Sequence, residues 1–337
     1  MNVADVLARC LPTRLRSETA LRRFALGSVI MNVVIVVTGG VVRLTDSGLG
    51  CPTWPNCTDA TLTPTKAYAI HGIIEFTNRQ LTFVVAFFAI ATWLIAMARV
   101  QQRCLATLVA LSIPAQAVLG GFTVLTHLNP WLVAAHFMLS MAILFVAFWL
   151  WWRVRDSAPA ADVPPAAVNL ARLTALVAVF VLAFGTIVTG SGPHAGDKDS
   201  SGRIHRTGLQ VSSMAQLHAD SVMVLIGVSV GLLALVHAVH AAAGVRRAAW
   251  LLLAVELGQG IIGYTQYFLH VPPLLVGLHM FGACLLWLTV LYVLAQLEPR
   301  AAAGGSALER TEQSPPRTSR RSAPDQGYSD APPARVE

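Results

Sequence analysis

The sequence predicts an all-α integral membrane protein of eight transmembrane helices, arranged as two pseudo-symmetric four-helix bundles. Three observations carry this prediction. Charged residues are only 12% of the 337 residues and hydrophobic ones 55%, about half the charged share of a soluble chain, and mean hydropathy is +0.61. Apolar runs of the roughly 20 residues that cross a bilayer recur eight times. One ungapped segment also repeats itself at a constant offset of 143 residues.

The apolar runs cover about 23–42, 71–98, 104–126, 131–153, 172–190, 210–238, 248–268 and 274–296. The first is long and lacks a small-residue cleavage site, so it reads as a retained helix, not a signal peptide. Basic residues gather at alternate ends of these runs: Arg14, Arg16, Arg22 and Arg23 before the first, Arg99 and Arg103 between the second and third. Arg153 and Arg155 follow the fourth run, and Arg246 with Arg247 joins the sixth to the seventh. Positive charge is retained on the cytoplasmic side, which puts both termini inside and the loops 43–70 and 191–209 outside. Lys198, Arg203 and Arg206 in the second loop run against that trend. The net charge of +7 is thereby absorbed into topology and is not a nucleic-acid footprint.

The domain reading follows. Residues 1–22 form a cytoplasmic N-terminal segment, 23–153 a first four-helix half, 154–171 a cytoplasmic linker and 172–296 a second half. Residues 297–337, rich in Ala, Pro, Ser, Arg and Gly without apolar periodicity, read as a disordered cytoplasmic tail.

The repeat is seen in QAVLGGFTVLTHLNPWLVAAH (116–136) and QGIIGYTQYFLHVPPLLVGLH (259–279). Gln116 matches Gln259, Gly120 matches Gly263, His127 matches His270, Pro130 matches Pro273 and His136 matches His279. Earlier segments align more weakly: VVTGG (36–40) with IVTGS (187–191), and IIEFTNRQL (73–81) with SMAQLHADS (213–221). In that frame Asn78 stands where His218 stands, and Glu75 where Ala215 stands. Four spans per half is an even number, so both halves share one orientation and are related by an axis along the membrane normal.

Ionisable residues inside a membrane are expensive and mark function. His136 and His279 lie about five residues inside their runs and His218 about eight, which gives all three a similar depth, with His218 and His279 in the same half. Two such imidazoles on neighbouring helices can ligate a heme iron from both faces. The competing role is a plain hydrogen bond to a neighbouring backbone, and the repetition of His136 as His279 weighs against it. Zinc is less suited, since no Cys or carboxylate completes its shell near His218 and His279. His127 and His270 cap the ends of their helices, with heme propionate contact as the alternative. His237 and His240 are interfacial.

The second run opens with HGIIEFTNR (71–79), whose spacing places His71, Glu75 and Asn78 on one helix side, with Arg79 pointing off it. Ahead of it, Cys51 and Cys57 flank a Pro-rich turn outside the membrane, where disulfides persist. That pair is either a structural staple or a redox-active couple.

The run RLTDSGLGCPTWPNC (43–57), followed by IIEFTNR and three deep histidines, resembles the heme A synthase family, over about residues 23–296. The resemblance implies eight spans in two halves, a heme b in one half and a substrate, heme O, in the other, with a heme methyl oxidised to the formyl of heme A for terminal oxidases. It implies iron ligands at His136, His218 and His279, a catalytic role for Glu75, and substrate-heme contacts from His71, Asn78 and Arg79. Expected partners are heme O synthase and cytochrome c oxidase assembly proteins, with a homo-oligomer left open, in a bacterial plasma membrane.

Asn78 departs from the family pattern, which carries a His there, and a carboxamide is a far poorer iron ligand than imidazole. Either His136 alone holds that heme or His71 substitutes from two turns away. The second outer loop also lacks the Cys pair that some relatives carry. For Glu75 the competing role is structural, pairing with Arg79 or with His71. Two other functions stand behind the enzyme. A diheme electron carrier would want a complete His pair in each half, and a transporter would want broken helices near the midplane.

Overall fold

The computed structural model describes residues 11–64, 69–155, 163–196 and 202–298. The tail expected to be disordered lies outside them beyond Glu298, as do residues 1–10, residues 156–162 of the linker and Lys198. Eight helices follow in order: α1 Glu18–Leu44, α2 Ala69–Arg99, α3 Arg103–Leu125, α4 Pro130–Arg153, α5 Pro165–Ser191, α6 Val211–Ala238, α7 Ala243–Phe268 and α8 Pro273–Leu297. All eight are long and apolar enough to cross a membrane. The protein is therefore a multi-pass all-α membrane protein. A bilayer core leaves backbone polar groups no water to bond, so the helix satisfies them internally.

Several helices outrun their apolar stretches because their caps lie in polar sequence. Ser17 caps α1 by accepting the Ala20 amide at 3.1 Å, and Asn129 caps α4 by accepting the Trp131 amide at 3.0 Å. Proline opens α4, α5 and α8, where its missing N–H costs nothing.

Within the first half α1 packs on α2, α2 on α3, α3 on α4 and α4 back on α1; α5 to α8 close the same ring in the second half. Between the halves α1 meets α8, α4 meets α5 and α4 meets α8. A twofold that carries α1 to α5 and α4 to α8 maps this set onto itself, which is the arrangement the repeat calls for. Across that interface the buried Trp287 indole donates to the Met141 carbonyl at 2.9 Å, and a Cβ on Gly40 would come within 2.7 Å of Met280.

The repeat also shows in the α3–α4 and α7–α8 turns. His127 and Leu128 have φ of 53° and 58°, and His270 and Val271 have 60° and 57°. Leu128 and Val271 then return their amides to Thr123 and Gln266 at 2.8 and 2.7 Å, a six-to-one helix-ending bond. His127 and His270 thus end their helices through the backbone. Large apolar side chains such as Phe83, Phe87, Leu111, Phe122, Ile261 and Phe268 stay exposed on the outside of α2, α3 and α7, the surface that lipid covers.

Candidate functional site

After α1 the chain folds back over the first turn of α2. Gly50 permits this, since a Cβ there would sit 2.5 Å from the His71 carbonyl. Cys51 and Cys57 are joined in a disulfide, and both are fully buried. Trp54 lies flat on α3, where a Cβ on Gly121 would meet its ring at 2.5 Å. The loop is thereby seated on α2 and α3 together.

Glu75 and Arg79 bind that loop. Glu75 is 5% exposed, and its Oε2 accepts the Cys51 amide at 2.7 Å. Its Oε1 accepts from Arg79 Nε at 3.1 Å and from Nη2. Arg79 lies four residues on, so its guanidinium returns to the Glu75 side instead of pointing off it. It also donates to the carbonyls of Cys51, Thr53 and Asn56 at 2.9, 3.0 and 3.2 Å. Of the two structural partners open to Glu75, the pairing is with Arg79. His71, exposed, instead joins its Nδ1 to Ser47 Oγ at 3.0 Å.

His136, His279 and His218 stand six, six and seven residues into α4, α8 and α6, about 9–10 Å along each axis at 1.5 Å per residue. In the second half the rings of His218 and His279 face each other, centres 6.4 Å apart and planes at 83°. His218 Nδ1 is held by the Val181 carbonyl at 3.1 Å, which leaves Nε2 for another partner. In the first half His136 is steadied by Gln116, whose Nε2 donates to the His136 carbonyl at 2.9 Å and to Ser140 Oγ at 2.6 Å. Asn78 lies on α2, and its Oδ1 accepts from Thr38 Oγ1 of α1 at 2.7 Å.

Glycines seat the rings. A Cβ on Gly120 would lie 3.0 Å from His136, and one on Gly185 3.2 Å from His218. Gly263 holds the same place under His279 at 3.4 Å. The repeat reveals Gly120 and Gly263 in the sequence, whereas Gly185 has no such mark.

Three further polar groups make contacts that helical spacing does not foretell. Arg43, at the end of α1, donates its Nε to the His194 carbonyl and its Nη2 to that of Ala195 at 2.9 Å, tying the first half to the loop after α5. Glu256 of α7 is 2% exposed and accepts from Ser229 of α6 at 2.6 Å. Thr38 was visible only as part of the repeated VVTGG. Among the described residues no group of three His, Cys, Asp or Glu side chains could hold a metal ion by itself.

Fold and site together define a membrane helix bundle with imidazoles placed inside each of two repeated halves. The chain belongs to the cytochrome oxidase assembly protein family, whose match covers residues 22–291. Among curated proteins it is similar to heme A synthase of Shewanella oneidensis, 27% identical over 48% of this chain and 53% of that one. It is 30% identical to heme A synthase of Geobacillus thermodenitrificans over 37% of this chain and 40% of that one. For heme A synthase of Lysinibacillus sphaericus the figures are 33%, 36% and 40%. The chain spans about half or less of the length of these relatives in the matched region.

The family implies heme, and the donor set fits one. Imidazole–metal bonds of roughly 2.0 Å on each side of an iron set ring centres about 6 Å apart, close to the 6.4 Å between His218 and His279. His136 Nδ1 and His279 Nδ1 are buried and make no hydrogen bond among the described residues. A buried polar nitrogen without a partner costs about 1–3 kcal/mol, a cost that a partner bound at that same nitrogen would offset.

The disulfide makes a direct expectation. Thiol reagents applied to intact cells should not label Cys51 or Cys57 until a reductant is added; labelling without reductant would show the pair free.

Proposed function

We propose that the protein is a heme A synthase of a bacterial plasma membrane, oxidising a methyl group of heme O to the formyl group of heme A, with both termini cytoplasmic. The observation that carries this reading is the inequality of the two halves. The second half sets His218 against His279, and Ala215 stands where the first half has Glu75. In the first half His136 aligns with His279 and Asn78 with His218, and the Glu75–Arg79 pair is added beneath the disulfide loop. One half is furnished to hold a heme b and the other to act on one.

In this reading His218 and His279 hold heme b, and His136 binds the substrate heme. Bound heme supplies redox-active iron, and the chain supplies position and charge. Gln116 and Ser140 fix the His136 turn of α4, Val181 orients the His218 ring, and the Gly120 and Gly185 seats set how near each ring lies to its neighbouring helix. Glu75 brings a carboxylate one turn from Asn78, where it exchanges a proton or steadies positive charge as the methyl is oxidised. Arg79 holds that carboxylate and, through three loop carbonyls, closes the loop over it. Partners expected on this reading are heme O synthase and cytochrome c oxidase assembly proteins.

A diheme electron carrier would want a complete His pair in each half, and the position aligned with His218 carries Asn78 in the first half. The test is conversion itself. Purified protein given heme O and an electron acceptor should yield heme A on pyridine-hemochrome analysis. Tightly bound heme that is never converted would overturn the proposal.

A further inference from the structure

Asn78 departs from the symmetry of the molecule in a way its neighbours explain. Thr38 and Thr189 are counterparts in the repeat VVTGG and IVTGS. Thr189 donates to the Gly185 carbonyl at 2.9 Å, whereas Thr38 gives its one proton to Asn78 Oδ1 at 2.7 Å, with the Val34 carbonyl 3.1 Å away. In the frame that lays VVTGG over IVTGS, Val34 is the counterpart of Gly185. In the second half that glycine leaves bare backbone beneath the His218 ring, with room of only 3.2 Å for a Cβ. In the first half the aligned residue, Val34, carries a β-branched side chain. An imidazole on α2 would have no seat there, and the residue present is the shorter carboxamide.

That carboxamide is also engaged. Its oxygen, the only atom an amide offers a metal, accepts from Thr38 at 2.7 Å. Interhelical bonds of this kind inside a membrane contribute about 0.6 kcal/mol on average, and a carboxamide is a far poorer iron ligand than imidazole. His71 is no substitute. Its ring is bonded to Ser47, and His71 itself stands seven residues before Asn78, about 10 Å away along α2.

We infer that an iron bound in the N-terminal half is held by His136 alone and keeps its α2 side open to a small diatomic ligand, because Thr38 withdraws Asn78 and Val34 fills the seat of an imidazole. The C-terminal iron, between His218 and His279, is closed on both sides. This rests on the proposal that the N-terminal half takes up heme. It adds that the two irons differ in coordination, and so in what they bind.

Carbon monoxide added to the dithionite-reduced, full-length protein loaded with heme O reads this directly, alongside heme counted by pyridine hemochrome. Wild type should bind one carbon monoxide for every two hemes. His279→Leu, stripped of its C-terminal heme, should bind one for each remaining heme, and His71→Ala should leave the adduct unchanged. Asn78→His combined with Val34→Gly rebuilds the seat of the second half and should abolish carbon monoxide binding, whereas Asn78→His alone should retain it. Two hemes per chain with no carbon monoxide adduct would overturn the inference alone. A chain that takes up no heme beyond the His218–His279 one would overturn the inference and the function beneath it together. Loss of the adduct in His71→Ala would assign the open position wrongly and overturn it as well.

Discussion

Glu75→Ala should lower conversion of heme O by about 100-fold or more, the range over which acid–base groups contribute, and should leave the C-terminal heme b spectrum in place. The geometry complicates a simple reading, because the same carboxylate accepts the Cys51 amide and pairs with Arg79. Removing it leaves a guanidinium that is 20% exposed facing only the carbonyls of the loop, so the loop should loosen too. Glu75→Gln separates the two roles. Its amide oxygen can still accept from Cys51, while the charge is gone. If Glu75 only anchors the loop, the Gln variant should keep much of the activity that Ala loses, because the Cys51 bond survives even though its NH2 meets the Arg79 donors. If the carboxylate takes part in the reaction, Gln should be nearly as inactive as Ala. Wild-type activity in both variants would remove Glu75 from the reaction site altogether.

The second large effect is expected at His218 and His279. Either one changed to Leu should abolish the low-spin signal of a bis-imidazole heme b and lower heme bound per chain, with the protein still inserted. Leu fills much of the ring's volume and offers iron no donor, so packing survives while ligation does not. The two rings face each other at 6.4 Å, which makes the losses equivalent: each variant should forfeit the same heme. A bis-imidazole signal unaltered in both would break the assignment.

The Glu75–Arg79 contact shows where sequence reasoning stopped short. Helical spacing brings His71, Glu75 and Asn78 to one side, and that face is real. Spacing does not tell which partner a long flexible side chain selects. Arg79 turned back toward Glu75 because five donors on one guanidinium found the carboxylate and three loop carbonyls within reach. His71 was drawn away to Ser47 by a loop whose path depends on Gly50. Glu256 went unnoticed for a related reason. A single acid within an apolar run has no pattern, and its meaning appears only when Ser229 of another helix donates to it.

What the sequence determined by itself was everything that repeats or has a period. Eight apolar runs of bilayer length dictate eight helices, because a helix alone satisfies its backbone within lipid. A constant 143-residue offset carries His136 onto His279, and it survives in the matching turns at His127 and His270. Cys51 and Cys57 announced their disulfide through proximity along the chain. What only the tertiary structure decided was which polar group meets which across helices distant in sequence: Thr38 with Asn78, Val181 with His218, Arg43 with the loop after α5. Those contacts depend on helix rotation and separation to within an ångström or so. Residues too weak to pattern a sequence set that fit, above all the bare Gly185 beneath His218.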